Sequence, residues 1–197
     1  MSTITIIETG LANLASVQAA WRRLGHDPLV TKDPDVVGSA DRVMLPGVGA
    51  FAPGMAMLNA HGLTEALRER VAQGRPLLAV CLGLQLLGQQ SEEGPGIEGL
   101  GIVEASAERL QGPDRVPHMG WAPILPTPNA RYLVAGHAYF AHSYAIRAEG
   151  LAGASSAHSG RRFVAAIEHG PVLALQFHPE LSGSLGESIL ARWAEEG

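Results

Sequence analysis

The chain has little of what marks several common classes of protein. Its 197 residues include one cysteine, Cys81, so an internal disulfide is impossible and a reducing compartment is expected. Basic residues are in the minority, and the net charge of −5 does not indicate a nucleic-acid partner. The longest apolar run, around Cys81, is shorter than the roughly 18 residues of a membrane span, and the first ten residues lack the basic segment of a signal peptide. We therefore expect a cytoplasmic protein with no membrane and no nucleic-acid partner.

Signatures of metal and nucleotide chemistry are also missing. The histidines are scattered, no His-Glu-x-x-His motif occurs, and a single cysteine excludes the paired-cysteine spacing of zinc sites. The glycine-rich phosphate-binding loop that ends in Gly-Lys-Ser or Gly-Lys-Thr does not occur either. The sequence predicts no metal site and no cofactor.

What is present is the composition of one globular domain. Hydrophobic residues make up 46% of the chain and charged residues 17%, which is typical of folded proteins. A chain of this length can build one sizeable core, and no repeat, low-complexity tract or linker divides it. Residues 1–197 are therefore predicted to form a single domain.

The first half alternates between short apolar strands and amphipathic helices. Strands are predicted at Thr3–Ile7, Pro28–Val30, Arg42–Leu45 and in the apolar run before Cys81. Helical periodicity lies between them, with inward-facing residues at Leu11, Leu14, Val17, Trp21 and Leu24, and later at Leu63, Leu67 and Val71. Repeated strand–helix units predict a parallel sheet with helices on both faces.

The second half indicates antiparallel pairing. The segments Tyr139–Ile146 and Phe163–Glu180 have strand composition, and His169-Gly170-Pro171 forms a predicted turn within the second of them. A final helix carries Ile189, Leu190 and Trp193 on its apolar face. The predicted fold class is therefore α/β, with a mixed, mainly parallel sheet flanked by helices in three layers.

Cys81 lies where a buried strand changes into a helical pattern. A lone cysteine is most often a small core residue, and that interpretation stands as the alternative. However, open α/β sheets bind ligands at the carboxyl ends of their strands, and a helix N-terminus favours a thiolate. A sharp strand–nucleophile–helix turn needs small residues two positions on either side, here Ala79 and Gly83. The pattern indicates a nucleophile.

A nucleophilic thiol needs a base, and the base needs an orienting group. His178 ends a predicted strand before Pro179, and Glu180 follows it by two positions, a spacing that puts both side chains on one side of an extended chain. A strand-end histidine with a surface glutamate is an equally common arrangement. Seven other histidines are candidates for the role of the base, among them His142 and His169.

The glycine-rich segment 47–52 follows a predicted strand and allows two interpretations. It formally matches the Gly-x-Gly-x-x-Ala pattern of dinucleotide sites, but those sites need an acidic residue at the end of the next parallel strand, and that strand ends in Cys81. Alternatively, its glycines form a loop that can turn a peptide N–H toward a ligand.

Two of these segments, LAVCLGLQLL (78–87) and LALQFHPE (173–180), together resemble the class I glutamine amidotransferases. Three more segments, LPGVGAF (45–51), VPHMGW (116–121) and AYFAHSY (138–144), are similar to those of the glutaminase subunits of imidazole glycerol phosphate synthase. The five motifs occur in the family's order and span nearly the whole chain.

The resemblance implies roles for individual residues. Cys81 would be the nucleophile, His178 the acid and base, and Glu180 its orienting group. The oxyanion hole would use the N–H of Leu82 and that of Val48 or Gly49, and glutamine would be held by Gln85, His142, Ser143 and Tyr144. Hydrolysis of glutamine to glutamate through a cysteinyl thioester would release ammonia. The ammonia would pass to a (β/α)8-barrel cyclase subunit in a heterodimer, for imidazole glycerol phosphate formation in histidine biosynthesis. Met119 and Trp121 would contact that partner.

The chain departs from the family pattern in three places. Glu8-Thr9-Gly10 stands where Asp-Tyr-Gly is expected, and Ala12 stands where glycine is common. The sharp turn around Cys81, called the nucleophile elbow, has Ala79 and Leu84 in place of the more usual glycine and methionine. None of these belongs to the triad. Two alternatives stay open at this point: an amidotransferase domain that serves another synthase, and a catalytically silent assembly subunit.

Overall fold

The structure is a computed structural model that describes residues 3–10, 13–147, 150–151 and 153–196. Leu11, predicted for the first helix, and Ala12, one of the departures from the family pattern, lie outside the described residues.

The elements alternate as the sequence predicts in the first half and become mainly strands in the second. The strands are β1 (Ile4–Ile7), β2 (Leu29–Thr31), β3 (Arg42–Leu45), β4 (Leu77–Val80), β5 (Gln90–Ser91), β6 (Ser106–Arg109), β7 (His118–Pro126), β8 (Gly136–His142), β9 (Tyr144–Ile146), β10 (Ala154–His158), β11 (Arg161–His169) and β12 (Val172–Leu175). The helices are α1 (Leu14–Arg23), α2 (Pro34–Ser39), α3 (Phe51–Ala60), α4 (Leu63–Ala72), α5 (Leu82–Leu86) and α6 (Gly183–Glu196), with a short 3₁₀ helix at Pro179–Leu181.

The strands form two sheets. The larger has the order β2-β1-β3-β4-β12-β11-β10-β7-β8, in which the pairs from β2 to β12 are parallel and the pairs from β12 to β8 are antiparallel. The smaller has the order β5-β6-β9. The predicted α/β class with a mixed sheet is confirmed, and β4 and β12 lie side by side at its centre.

Strand β4 shows why helices cover both faces of the sheet. Its alternate side chains Leu78 and Val80 pack in one core with residues of α1 and α6, whereas Leu77 and Ala79 pack in the other with residues of α3 and α4. Removing a leucine side chain of this kind from water is worth about 1.5–3 kcal/mol, so neither face can stay exposed. The three layers follow from this pattern.

Residues next to the helices begin and end them. The Asp33 side chain accepts hydrogen bonds from the backbone N–H groups of Asp35 and Val36, and Pro34 is the first residue of α2. Gly25 and Gly74, which follow α1 and α4, have φ angles of +84° and +74°. That left-handed conformation favours glycine and ends both helices.

Two features of the second half differ from the prediction or were missed. The segment Tyr139–Ile146 is divided at Ser143, so that β8 pairs with β7 in the large sheet while β9 pairs with β6 in the small one. Strand β7 was not predicted, because Met119 and Trp121 are exposed and apolar on its outer face and hide the alternation of polar and apolar residues.

Candidate active site

Cys81 occupies a sharp turn between β4 and α5. Its backbone angles are φ +54° and ψ −106°, a conformation that costs a residue other than glycine about 1–3 kcal/mol and persists only where the surroundings hold it. Its N–H donates to the carbonyl of Leu175 on the adjacent strand at 2.7 Å. A Cβ atom on Gly83 would collide with the Leu45 carbonyl, so the turn requires glycine there. The predicted elbow is present.

His178 and Glu180 form a buried pair beside this turn. The Nδ1 of His178 lies 2.9 Å from Oε1 of Glu180, and the two side chains are 6% and 7% exposed. Burial lowers the pKa of His178, but hydrogen bonds and charge interactions with Cys81 and Glu180 outweigh it and raise the pKa to about 10. The imidazolium form of His178 is therefore favoured beside Cys81 and Glu180.

The backbone of His178 is fixed from the sheet. Its N–H donates to the Tyr139 carbonyl on β8 at 2.9 Å, and its carbonyl accepts from the Ser182 hydroxyl at 2.6 Å. Ser182 also accepts from the Tyr139 N–H at 3.0 Å. Strand β8 thus holds the imidazole at the carboxyl edge of β4 and β12, although Tyr139 is distant from His178 in sequence.

The predicted oxyanion donors are the N–H of Leu82 and that of Val48 or Gly49, and in this conformation neither Leu82 nor Val48 offers its N–H to a common point in the cleft. The N–H of Leu82 donates to the carbonyl of Gly47 at 3.2 Å. In a trans peptide the N–H and C=O point in opposite directions, so the N–H of Val48 is turned away from Leu82. A rotation of the single peptide between Gly47 and Val48 would release the first donor and present the second.

A cleft of about 280 Å³ opens at this edge of the sheet. It brings together residues that are far apart in the sequence, namely Val48, Gly49, Cys81, Leu82, Gln85, Glu93, Pro117, Met119, Ala141, His142, Ser143, Tyr144 and His178. All the predicted site residues except Glu180 and Trp121 line it, and Glu180 is in contact through His178. The volume suits a small amino acid.

Gln85 is held so that its carbonyl oxygen is the end available to the cleft. Its Nε2 donates to the Tyr144 carbonyl at 2.8 Å and to Oε1 of Gln176 at 3.2 Å. The His142 ring donates from Nδ1 to the same Tyr144 carbonyl at 2.9 Å. Burial lowers the pKa of His142 to about 3, so the ring is neutral and stabilises the turn at Ser143 by this hydrogen bond.

Sequence reasoning missed two polar residues of the site. Glu93 lines the cleft, and its Oε2 accepts from the N–H of Phe51 at the start of α3 at 2.8 Å. Gln176 is fully buried, and its Nε2 lies 3.7 Å from the Sγ of Cys81. A signal for Gln176 was available, because it is a polar residue within an otherwise apolar run and precedes His178 by two positions.

Met119 and Trp121 stand at the mouth of the cleft and beside it. They are 66% and 57% exposed, which is unusual for such large apolar side chains. Trp121 packs edge-on against Tyr139, with the ring centres 6.2 Å apart. The carbonyl of Tyr139 also accepts a hydrogen bond from the His178 N–H. The exposed Trp121 therefore contacts a residue that positions the backbone of His178.

The described residues hold neither a metal-binding cluster nor a long apolar helix. Within them, no three side chains of His, Cys, Asp or Glu are grouped so that they could hold a metal ion. Over the same ranges, no helix is long and apolar enough to cross a membrane.

Comparison with known proteins identifies similar sequences over nearly the whole chain. Residues 6–195 match the family described as "Glutamine amidotransferase class-I". Two curated relatives are named "Imidazole glycerol phosphate synthase subunit HisH". The one from Methanothermobacter thermautotrophicus is 39% identical over 98% of this chain and 98% of its own, and the one from Moorella thermoacetica is 43% identical over 99% and 95%.

Solved structures show the same fold at lower sequence identity. One titled "Crystal structure of glutamine amidotransferase" has a TM-score of 0.75 at 22% identity, and the match covers 96% of this chain and 95% of that one. The structure of PurLQS from Thermotoga maritima has a TM-score of 0.75 at 15% identity, with 98% of each chain covered.

Proposed function

This chain belongs to the class I glutamine amidotransferase family, and we propose that it is the glutaminase subunit of an imidazole glycerol phosphate synthase. The observation that carries the proposal is the buried His178–Glu180 pair beside the strained Cys81 elbow, in a cleft of amino-acid size. The full-length similarity to subunits of that synthase supports the choice of synthase.

In the first half-reaction, the Cys81 thiolate attacks the side-chain carbonyl carbon of glutamine. The carbonyl electron pair moves to oxygen, and the resulting oxyanion is stabilised by backbone N–H groups at Leu82 and Val48 after the peptide rotates. Each such donor is worth about 3 kcal/mol when it is removed by mutation in other enzymes. His178 gives its proton to the leaving nitrogen, ammonia departs, and a glutamyl thioester remains on Cys81.

In the second half-reaction, His178 takes a proton from a water molecule that attacks the thioester. The C–S bond breaks, its electron pair returns to Sγ, and glutamate is released. Glu180 holds Nδ1 at 2.9 Å throughout, so that Nε2 is the nitrogen that exchanges protons with the substrate.

Recognition of glutamine is assigned to groups around the rest of the cleft. Gln85 offers its carbonyl oxygen because both of its N–H groups are engaged elsewhere. Glu93 has one carboxylate oxygen bound to the Phe51 N–H, and its charge suits the α-ammonium group of an amino acid. Ser143 and Tyr144 also line the cleft.

The exposed apolar side chains around the cleft support transfer of ammonia to a partner. Met119, Trp121, Val48 and Leu181 are 66%, 57%, 41% and 45% exposed, and three of them border the cleft or the adjoining cavity behind His178. Ammonia must stay unprotonated to act as a nucleophile, so a surface that excludes water is needed. We assign these residues to the contact with a (β/α)8-barrel cyclase subunit.

The organisation and setting of the chain follow from the same proposal. Residues 1–197 act as one catalytic domain, because the parallel and antiparallel parts of the large sheet both contribute to the cleft. The absence of cysteines other than Cys81 suits a cytoplasmic heterodimer with the cyclase.

The direct experiment measures glutamate release from glutamine by the purified chain, alone and with the candidate cyclase and its nucleotide substrate. We expect glutamate release to be strongest when the cyclase and its nucleotide are both present, together with formation of imidazole glycerol phosphate. Release that another synthase stimulates, and this cyclase does not, would assign the chain to that synthase. No release in any combination would support a silent assembly subunit.

Separate substitutions of His178 and Glu180 distinguish the roles of these two residues. We expect His178→Asn to lower glutaminase turnover more than Glu180→Gln, because His178 moves protons in both half-reactions, whereas Glu180 orients and stabilises the imidazolium. Turnover of both variants is measured in the complex with saturating glutamine. Greater damage from Glu180→Gln would require the two roles to be exchanged or abandoned.

A further inference from the structure

Gln176 is a buried amide that the mechanism above leaves unused. It follows β12, has no exposed surface, and points its Nε2 toward the Sγ of Cys81 at 3.7 Å. A side-chain amide buried so completely needs partners for both of its ends. Here the partner of the donor end is the sulfur atom that reacts.

The side-chain oxygen of Gln176 is bound by Gln85, a residue that lines the cleft. Its Oε1 accepts from the Nε2 of Gln85 at 3.2 Å, and Gln85 is itself fixed by the Tyr144 carbonyl at 2.8 Å. This arrangement determines which way the Gln176 amide faces, because an amide that accepts from Gln85 through oxygen must present nitrogen to the sulfur.

Besides its hydrogen bond with His178, the sulfur of Cys81 has two contacts of opposite effect. The Ala141 carbonyl lies 3.9 Å from Sγ and can only accept, so it favours the protonated thiol. The Gln176 amide N–H can only donate, so it favours the thiolate. The balance between them depends on Gln176, since the carbonyl belongs to the backbone of β8 and is fixed.

We propose that Gln176 is a further catalytic residue, which stabilises the Cys81 thiolate by hydrogen bonding both before attack on glutamine and when the thioester breaks. This proposal rests on the proposed function of Cys81 as the nucleophile. During acylation the sulfur electron pair forms the S–C bond and the hydrogen bond weakens. During hydrolysis, water oxygen replaces sulfur on carbon, the pair returns to Sγ, and Gln176 donates to it again.

The test is the pH dependence of Cys81 alkylation by iodoacetamide in the full chain. Gln176→Met keeps a side chain of similar size and removes the N–H donor. We expect the midpoint of the profile to rise by about one pH unit, so that the rate on its acid side falls about 10-fold. At the high-pH plateau the rate is expected to stay equal or to rise, because a more basic thiolate is a better nucleophile.

A purely structural role for Gln176 gives a different profile. Disturbed packing changes access to Cys81 by the same factor at every pH and leaves the midpoint where it was. An unmoved midpoint, with or without a change in the plateau, would overturn the proposal.

Two more variants complete the design. Gln176→Glu keeps an oxygen that accepts from Gln85 and places a carboxyl group beside Sγ, so the midpoint of its alkylation profile is expected to rise further. This variant tests the proposal if Gln176→Met does not fold. Ser156→Ala is the control, since Ser156 is also buried but its hydroxyl binds the Pro123 carbonyl, and its midpoint is expected to be unchanged. Alkylation needs no glutamine hydrolysis, so failure of the proposed function would not be mistaken for failure of this one.

Discussion

Replacing Cys81 by alanine is expected to abolish glutamine-dependent synthesis by the complex with the cyclase, with a loss of about 10⁴-fold or more. The sulfur is the group that forms the thioester, and no second thiol exists in the chain to replace it. Alanine keeps the Cβ atom, so the backbone at φ +54° meets the same constraint as before and the fold is expected to persist.

The same Cys81→Ala complex supplies its own control. Only the generation of ammonia needs the thiol, so the cyclase is expected to work at its normal rate when ammonium salt replaces glutamine. The measurement is imidazole glycerol phosphate formation from each nitrogen source. Normal activity with glutamine would contradict the assignment of Cys81 as the nucleophile.

The second large effect concerns the Gly47–Val48 peptide. We expect the isolated chain to be a poor glutaminase and the cyclase with its nucleotide to activate it by about 10²–10³-fold, which is the effect of one oxyanion donor in other enzymes. The reason is that the Leu82 N–H is bound to the Gly47 carbonyl at 3.2 Å and the Val48 N–H points away. A partner that favours the rotated peptide would supply both donors at once.

Gly49 allows this rotation to be tested. It follows the rotating peptide and has a φ angle of +108°, in the region that favours glycine. Gly49→Val is expected to remove most of the activation of glutamate release, while Cys81 still reacts with a small alkylating reagent. Activation that survives intact in this variant would place the switch elsewhere in the molecule.

Gly74→Val is the matched control for this substitution. Gly74 also has a positive φ angle, +74°, and a Cβ atom there would meet open space. It follows α4, and it does not line the cleft. A similar loss of activation in Gly74→Val would show that backbone strain alone, and not the position of Gly49, causes the effect.

The parallel core of the fold could be predicted from the sequence because its signals are local. Strand Leu77–Val80 is a continuous apolar run, and Arg42–Leu45 is apolar after its first residue. Such runs in a chain of alternating strands and helices belong to a sheet that is buried on both faces. The cap at Asp33 and the glycines after the helices act within one turn of chain. Nothing distant is needed to interpret them.

The second half was harder to predict because pairing there is not local. The break at Ser143 occurs because β8 and β9 belong to different sheets, whose partners His118–Pro126 and Ser106–Arg109 come from separate parts of the chain. The exposed apolar face of β7 also hides its strand pattern. In the proposed function that face contacts a partner, which a single sequence does not contain.

Within the candidate site, the nucleophile elbow and the spacing of His178 and Glu180 could be predicted from the sequence, since each depends on neighbouring residues. The groups that surround the sulfur could be identified only once the chain was folded. Gln176 reaches it from the residue after β12 and Ala141 from β8, and Glu93 reaches the cleft from the loop after β5. The direction of the Gly47–Val48 peptide is also decided by the fold, because it depends on a hydrogen bond to Leu82 on another element. A backbone dihedral angle beside glycine is nearly free in the chain alone, and a contact across the sheet is what selects one value of it.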